Sequence, residues 1–215
     1  IISHVYKKAQ AAEIGDVVVA AEDDEIVKDV IKNGGDAILT SNNHKTGTDR
    51  IYEAFQKLEV KNVDLIMNLQ GDEPAIDIKD IINLNQKMID NKSKMGTLAA
   101  KINNIKDFEN ENIVKVITKK NLEVDHFAEA KTFIRNSSNV ENIYHHIGIY
   151  CYTTEILGKF VKLGRSRNEI KNRLEQLRAI DNNININVAL ANSSPIGVDT
   201  KEDYLALKKI MEYKN

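Results

Sequence analysis

The sequence predicts a three-layer α/β fold on a mixed, mainly parallel sheet, with a small antiparallel subdomain. Three observations carry this prediction. Through residues 16–91, short β-branched runs alternate with amphipathic segments of helical period, the signature of βαβ units. Between residues 97 and 152 the runs are longer, partly alternating and separated by few helices, which suits antiparallel strands. No repeat or low-complexity linker divides the chain, and 215 residues with 42% hydrophobic content can bury one substantial core.

Taken in order, residues 16–21 (DVVVAA) are the first predicted strand. Residues 24–32 place Ile26, Val27, Val30 and Ile31 on one helical face, and Gly34 with Gly35 stops that helix. Residues 37–40 are a second strand. Thr48 or Asp49 caps a helix whose Ile51, Ala54, Phe55 and Leu58 share a face. Residues 64–69 form the third strand, and 77–91 a helix with Ile78, Ile81, Ile82, Leu84 and Met88 inward. Residues 97–102, 113–118 and 143–152 are the antiparallel strands, with 136–142 as a loop. Helical pattern returns at 154–163 and 168–180, followed by a strand at 184–191 and a closing helix at 200–213.

Composition narrows the function. A net charge of -2 gives no electrostatic footprint for nucleic acid or an anionic membrane surface. The single cysteine, Cys151, cannot form an intramolecular disulfide and suits a reducing, cytoplasmic setting. No apolar run approaches the roughly 20 residues that span a bilayer, and no signal peptide is visible. The chain opens on Ile1-Ile2 rather than on methionine.

In open α/β sheets, ligands sit beyond the carboxyl ends of the strands. Three predicted loops fall there. Residues 41–48 end in Thr46-Gly47-Thr48 at a helix N-terminus, where free N–H groups favour an anion or a carbonyl-rich base. Residues 67–76, MNLQGDEPAI, end the third strand on Asp72 and Glu73, followed by Pro74. Residues 193–200 carry Asp199 at another helix start. Two aspartates from separate strand ends beside an anion-friendly loop match what a magnesium ion bridging phosphates requires. Each aspartate could equally be a helix or turn cap. Thr48-Asp49-Arg50 could be a cap with a surface ion pair, and His145-His146 ordinary strand histidines.

Six ordered blocks go further: TGTDR (46–50), NLQGDEP (68–74), IVKVI (113–117), HHIGIYCY (145–152), RLEQLRAID (173–181) and GVDTKEDY (197–204). In sequence and spacing they resemble the 3-deoxy-manno-octulosonate (Kdo) cytidylyltransferases, also called CMP-Kdo synthetases, across essentially the whole chain. The resemblance implies a nucleotide-diphospho-sugar-transferase-like fold. It also implies a reaction in which the anomeric hydroxyl of Kdo attacks the α-phosphorus of CTP, giving CMP-Kdo and pyrophosphate for lipopolysaccharide assembly. Asp72 and Asp199 would hold the catalytic magnesium. Gly47, Thr48, Arg50 and Gln70 would face the nucleotide. His146, Tyr150, Glu175 and Gln176 would face the sugar, with the imidazole donating to its carboxylate.

The departures are specific. A strand and phosphate loop of the kind that opens this family is absent from the sequence, which starts on what normally follows it. In residues 126–133 (HFAEAKTF), Glu129 stands where the family has arginine, with Lys131 or Arg135 as candidate substitutes. Arg173 replaces a serine. These leave two alternatives to Kdo activation: a cytidylyltransferase for another acidic or amino-modified sugar, and an inactive nucleotide-binding paralogue. The resemblance further implies a homodimer through residues 97–152, with Phe127, Phe133, Ile134 and Ile143 as interface candidates or, equally, as core.

Overall fold

The computed structural model describes residues 2–71, 73–137 and 140–192. Helix α1 (Ile2–Ala11) leads into strand β1 (Val19–Ala21), helix α2 (Asp24–Lys32) and strand β2 (Ala37–Leu39). Asp23 caps α2 by accepting from the Glu25 N–H, and acidic Asp24 and Glu25 sit in its positive first turn. Gly34, at φ 77°, turns the chain into the left-handed region that ends it. Helix α3 (Gly47–Lys57), strand β3 (Leu65–Asn68) and helix α4 (Ile78–Asp90) continue the alternation. Asp77 caps α4, which buries Ile81, Leu84 and Met88. Each such side chain contributes about 1.5–3 kcal/mol.

The second half comprises strands β4 (Met95–Ala100), β5 (Lys115–Thr118), β6 (Phe127–Ile134) and β7 (Ile143–Thr153). Helices α5 (Thr154–Phe160), α6 (Arg167–Asn172) and α7 (Leu177–Asp181) precede strand β8 (Asn187–Leu190). Strands β1 and β2 form a parallel pair, and the other six make one sheet in the order β3-β7-β4-β8-β6-β5. Strand β7 is long enough to pair β4 along one edge while its other edge takes β3 at one end and β5 at the other. With β5–β6, β6–β8 and β4–β8 also paired, the ladders of β4, β7, β5, β6 and β8 close into a circuit.

This corrects the expectation of a mainly parallel sheet. Of the seven ladders, only β1–β2 and β4–β8 are parallel. Strands β3, β4 and β8 do run the same way, as successive βαβ strands should. Strand β7 is inserted between β3 and β4, antiparallel to both, so same-sense strands rarely touch. Strand β4, read as part of the antiparallel section, is a central strand buried at all six positions.

The sheet separates two apolar layers. Tyr144, Tyr150 and Tyr152 of β7 face α5, α7 and the turn before α7 through Leu157, Phe160, Leu174 and Leu177. Ile147, Ile149 and Cys151 face α4 through Ile81, Leu84 and Met88. Strand alternation thus feeds both layers from one element. A third cluster joins Tyr6 of α1 to Val19, Val27 and Val30.

The predicted helix over 168–180 is broken. Arg173 adopts φ 54° and ends α6, and α7 starts at Leu177. The interruption sets Glu175 and Gln176 in a turn. The predicted helix at 200–213 lies outside the described residues.

Candidate active site

The site grows from an irregularity in β7. Thr97 of β4 opposes Tyr150, yet the next residue, Leu98, opposes Ile147, so residues 148 and 149 are extra. In a regular strand the Cα atoms of residues 146 and 150 would lie about 13 Å apart. The bulge instead brings the His146 and Tyr150 rings to 5.5 Å between centroids. His146 also meets Phe133 edge-on at 5.0 Å, and Tyr150 stacks on Tyr152 at 5.9 Å. The Thr97 hydroxyl fastens the bulge, donating to the Ile149 carbonyl at 2.6 Å, with the Ile147 carbonyl at 3.2 Å and His146 Nε2 at 3.0 Å. Burial, helped by the nearby His145, pushes the His146 imidazole down to about 3, so the ring is neutral. Burial raises the Tyr150 phenol well above its ordinary range.

Gln70 reaches the same bulge from the end of β3. A Cβ built on Gly148 would have three Gln70 side-chain atoms, at 3.0–3.2 Å, as its nearest neighbours. The missing side chain of Gly148 therefore makes the seat on which the Gln70 amide lies.

The helix-start loop reaches the same layer through Thr48, beside the Tyr152 hydroxyl. Thr46 caps α3, accepting from the Asp49 N–H and donating to Asp49 Oδ2 at 2.9 Å. Gly47 is exposed, and a Cβ there would meet nothing within 4 Å, so its backbone is open to close approach. Thr48 is buried. The preceding loop is tied down by Glu53, which accepts from the Ser41 N–H at 3.0 and 3.2 Å and pairs with His44. Bonds from Lys57, His44 and the Ser41 N–H pull the Glu53 carboxyl down to about 2. Arg50 is engaged within the fold: it donates to Thr40 Oγ1 at 2.9 Å and pairs with Glu22, tying α3 to the ends of β1 and β2.

The turn between α6 and α7 brings Glu175 against the same helix start. Burial raises the Glu175 carboxyl, opposed by the hydroxyls of Thr46 and Thr48 and by the Arg178 charge. Glu175 Oε1 is buried without a hydrogen-bond partner, and Arg178 Nη2 stands 3.8 Å from it. Arg178 is committed elsewhere, donating to both oxygens of buried Glu169 at 2.7 and 2.8 Å and lying 4.7 Å over the Phe160 ring. Gln176 is buried at the start of α7. Arg135 braces the turn from behind, donating to the carbonyls of Asn172, Arg173 and Glu111. Buried Lys115 in turn donates to the Arg135 and Asn110 carbonyls.

Thr48, Gln70, His146, Tyr150, Glu175 and Gln176, taken from four sequence blocks, thus gather round one region. Thr48 also bonds to the Tyr152 hydroxyl, joining the two halves. Asp72 and Asp199 lie outside the described residues, and among the described residues no cluster of three His, Cys, Asp or Glu side chains could hold a metal. The Glu129 side chain pairs with Lys119, while its strand neighbours Ala128 and Ala130 face the Tyr150 layer. Glu129 therefore points to the face opposite the Tyr150 layer. Phe127, Phe133 and Ile143 are buried within the chain and are unavailable as interface, whereas Ile134 is half-buried. Thr97, Gly148, Glu169 and Arg178 escaped the sequence reading; only Gly148 and Arg178 lie in a recognised block.

This geometry defines a class before a family: loops gathered at the strand ends of a mixed α/β sheet, the fold of the nucleotidyltransferases. A solved UDP-glucose pyrophosphorylase complexed with UDP-glucose shares the fold, with a TM-score of 0.71 at 13% identity over 100% of this chain and 87% of that one. A cytidylyltransferase family model matches residues 1–186. The 3-deoxy-manno-octulosonate cytidylyltransferase of Thermodesulfovibrio yellowstonii is 41% identical, covering 98% of this chain and 88% of that protein. The enzyme of the same name from Bartonella tribocorum is 36% identical over 98% and 87%. A solved CMP:2-keto-3-deoxy-manno-octonic acid synthetase complexed with CTP superposes with a TM-score of 0.89 at 32% identity, over 100% and 88%. The chain belongs to the 3-deoxy-manno-octulosonate cytidylyltransferase family.

Proposed function

We propose that the protein transfers CMP from CTP to the anomeric hydroxyl of Kdo, releasing pyrophosphate. The observation that carries this reading is the convergence of Thr48, Gln70, His146, Tyr150 and Glu175 round the β7 bulge, in a chain related end to end to enzymes of that name. The exposed Gly47 backbone at the start of α3 suits the nucleotide, and the tyrosine–histidine wall suits a sugar ring. The placement of Glu129 on the face opposite the Tyr150 layer supports Kdo over a different acidic sugar.

Magnesium belongs to this reading, held by Asp72 and Asp199. What supports it is that β3 and β8 run in the same sense, so the segments leaving them depart from one edge of the sheet. The ion would neutralise phosphate charge as the α-phosphorus is attacked. A cytoplasmic homodimer completes the proposal. Among the described residues no helix is long and apolar enough to cross a membrane, and exposed Ile105 and Val124 are apolar positions open to a partner.

The test is pyrophosphate release from CTP and magnesium, with Kdo, sialic acid and an amino-substituted Kdo supplied separately. Release with Kdo is the expected result. Release only with another sugar keeps the chemistry and refutes the substrate, and folded protein silent with every sugar refutes the activity.

A further inference from the structure

The Thr97 hydroxyl has three polar neighbours and one proton. Ile149 O at 2.6 Å and Ile147 O at 3.2 Å can only accept. Two oxygens 2.6 Å apart need a proton between them, because otherwise lone pair would face lone pair. The Thr97 proton therefore lies on the Ile149 bond. What Thr97 offers His146 Nε2, at 3.0 Å, is a lone pair, so Nε2 must carry a hydrogen. A neutral imidazole has one N–H only, which leaves Nδ1 bare. Among the described residues no bond to Nδ1 occurs, and His146 keeps 7% of its surface exposed.

We infer that Thr97 is a positioning residue that fixes His146 as its Nε2–H tautomer, so that His146 reads a substrate hydroxyl through an accepting Nδ1. The inference deepens the reading of His146 as a sugar ligand, and rests on it. It reverses the expected role of the ring. A carboxylate placed against Nδ1 would oppose lone pair to lone pair, so the acidic group of the sugar has to be held by other donors. Thr97 is fully buried on β4 and touches no ligand; it acts only through the ring and through the bulge that aims it.

Long-range proton–nitrogen NMR of the full chain, labelled with 15N-histidine and free of substrate, tests the tautomer near neutral pH. The expected spectrum has Nδ1 unprotonated and Nε2 protonated in the wild type. Thr97→Ser keeps this pattern, whereas Thr97→Val mixes the tautomers. In turnover, Thr97→Val should raise the KM for the sugar by about twofold or more, as the competent tautomer is diluted, with the KM for CTP little changed, and Thr97→Ser should restore it. A wild-type ring protonated on Nδ1 overturns the inference whether or not the valine variant folds. So does a folded Thr97→Val protein with an unchanged tautomer or an unchanged sugar KM. Absence of activity with any sugar would refute the proposed function while leaving the tautomer assignment standing.

Discussion

Replacing Arg178 by methionine should be among the most damaging single substitutions in the chain. Glu169 is 1% exposed and accepts four bonds: two from Arg178, one from Arg165 Nε at 3.1 Å and one from the Ser166 N–H at 3.1 Å. Methionine fills much of the arginine's volume but removes both short bonds and the compensating charge. Breaking a buried pair from one side costs about 3–5 kcal/mol, because the remaining charge is stranded. For a chain of this size, each kcal/mol lowers Tm by about 2–4 °C, so the expected fall is about 6–20 °C. The pH dependence should also invert. In the wild type, burial pushes the Glu169 carboxyl up, but the bonds from Arg178 and Arg165 outweigh it and the net shift is downward from 4.5. That contribution is present above about 4.5 and is lost as pH falls through the lower folded value. In Arg178→Met burial dominates, the carboxyl is raised, and acid relieves the stranded charge. Thermal melts of both proteins should therefore converge as pH falls. A Tm loss below about 3 °C, or a gap that widens in acid, would refute the reasoning.

Gly148→Ala needs no positive φ and collides first with Gln70, so it should leave Tm nearly unchanged while shifting substrate KM; in a Gln70→Ala background the same change should be silent, and an equal effect in both backgrounds counts against the seat. Gly96→Ala probes packing instead: its Cβ would sit 2.5 Å from Met88 Sδ and 3.2 Å from Leu84 Cδ1, so urea melts should show a loss of about 1–3 kcal/mol. With its imidazole held down to about 3, His146 should add no step to the sugar KM across roughly pH 5–8, whereas a step near 6.5 would mean that the ring titrates normally.

The first half of the fold was legible because its signals are local. Helix faces, caps such as Asp77 and the stop at Gly34 depend on neighbours a few residues away, and strands at 37–40 and 64–69 are found as β2 and β3. What could not be read was set by distant partners. That β7 would insert between β3 and β4 depends on cross-strand pairing, and β6 went unrecognised because a bulge at its pairing with β5 disturbs the alternation. Even spacing alone points His146 and Tyr150 to the same side of a strand. Parity survives because two residues are extra, but only the bulge makes the rings touch. Glu129 looked like a charge reversal at the sugar until its strand assigned it to the other face. Arg173 carried no mark of a left-handed turn, so the helix through Glu175 looked continuous.

The closed circuit of β4, β7, β5, β6 and β8 also bears on how the molecule comes apart. No strand of a ring can peel from an end without opening two ladders, so these five should exchange their amide hydrogens as a single unit, near the global unfolding limit. The β1–β2 pair shares no ladder with that ring and can open by itself. The β7 bulge, with the histidine and tyrosine it aims, thus sits in the slowest-exchanging part of the molecule. The loop after β2, proposed to receive the nucleotide, hangs from the separate β1–β2 pair, which should exchange faster: a rigid wall faced by a yielding one.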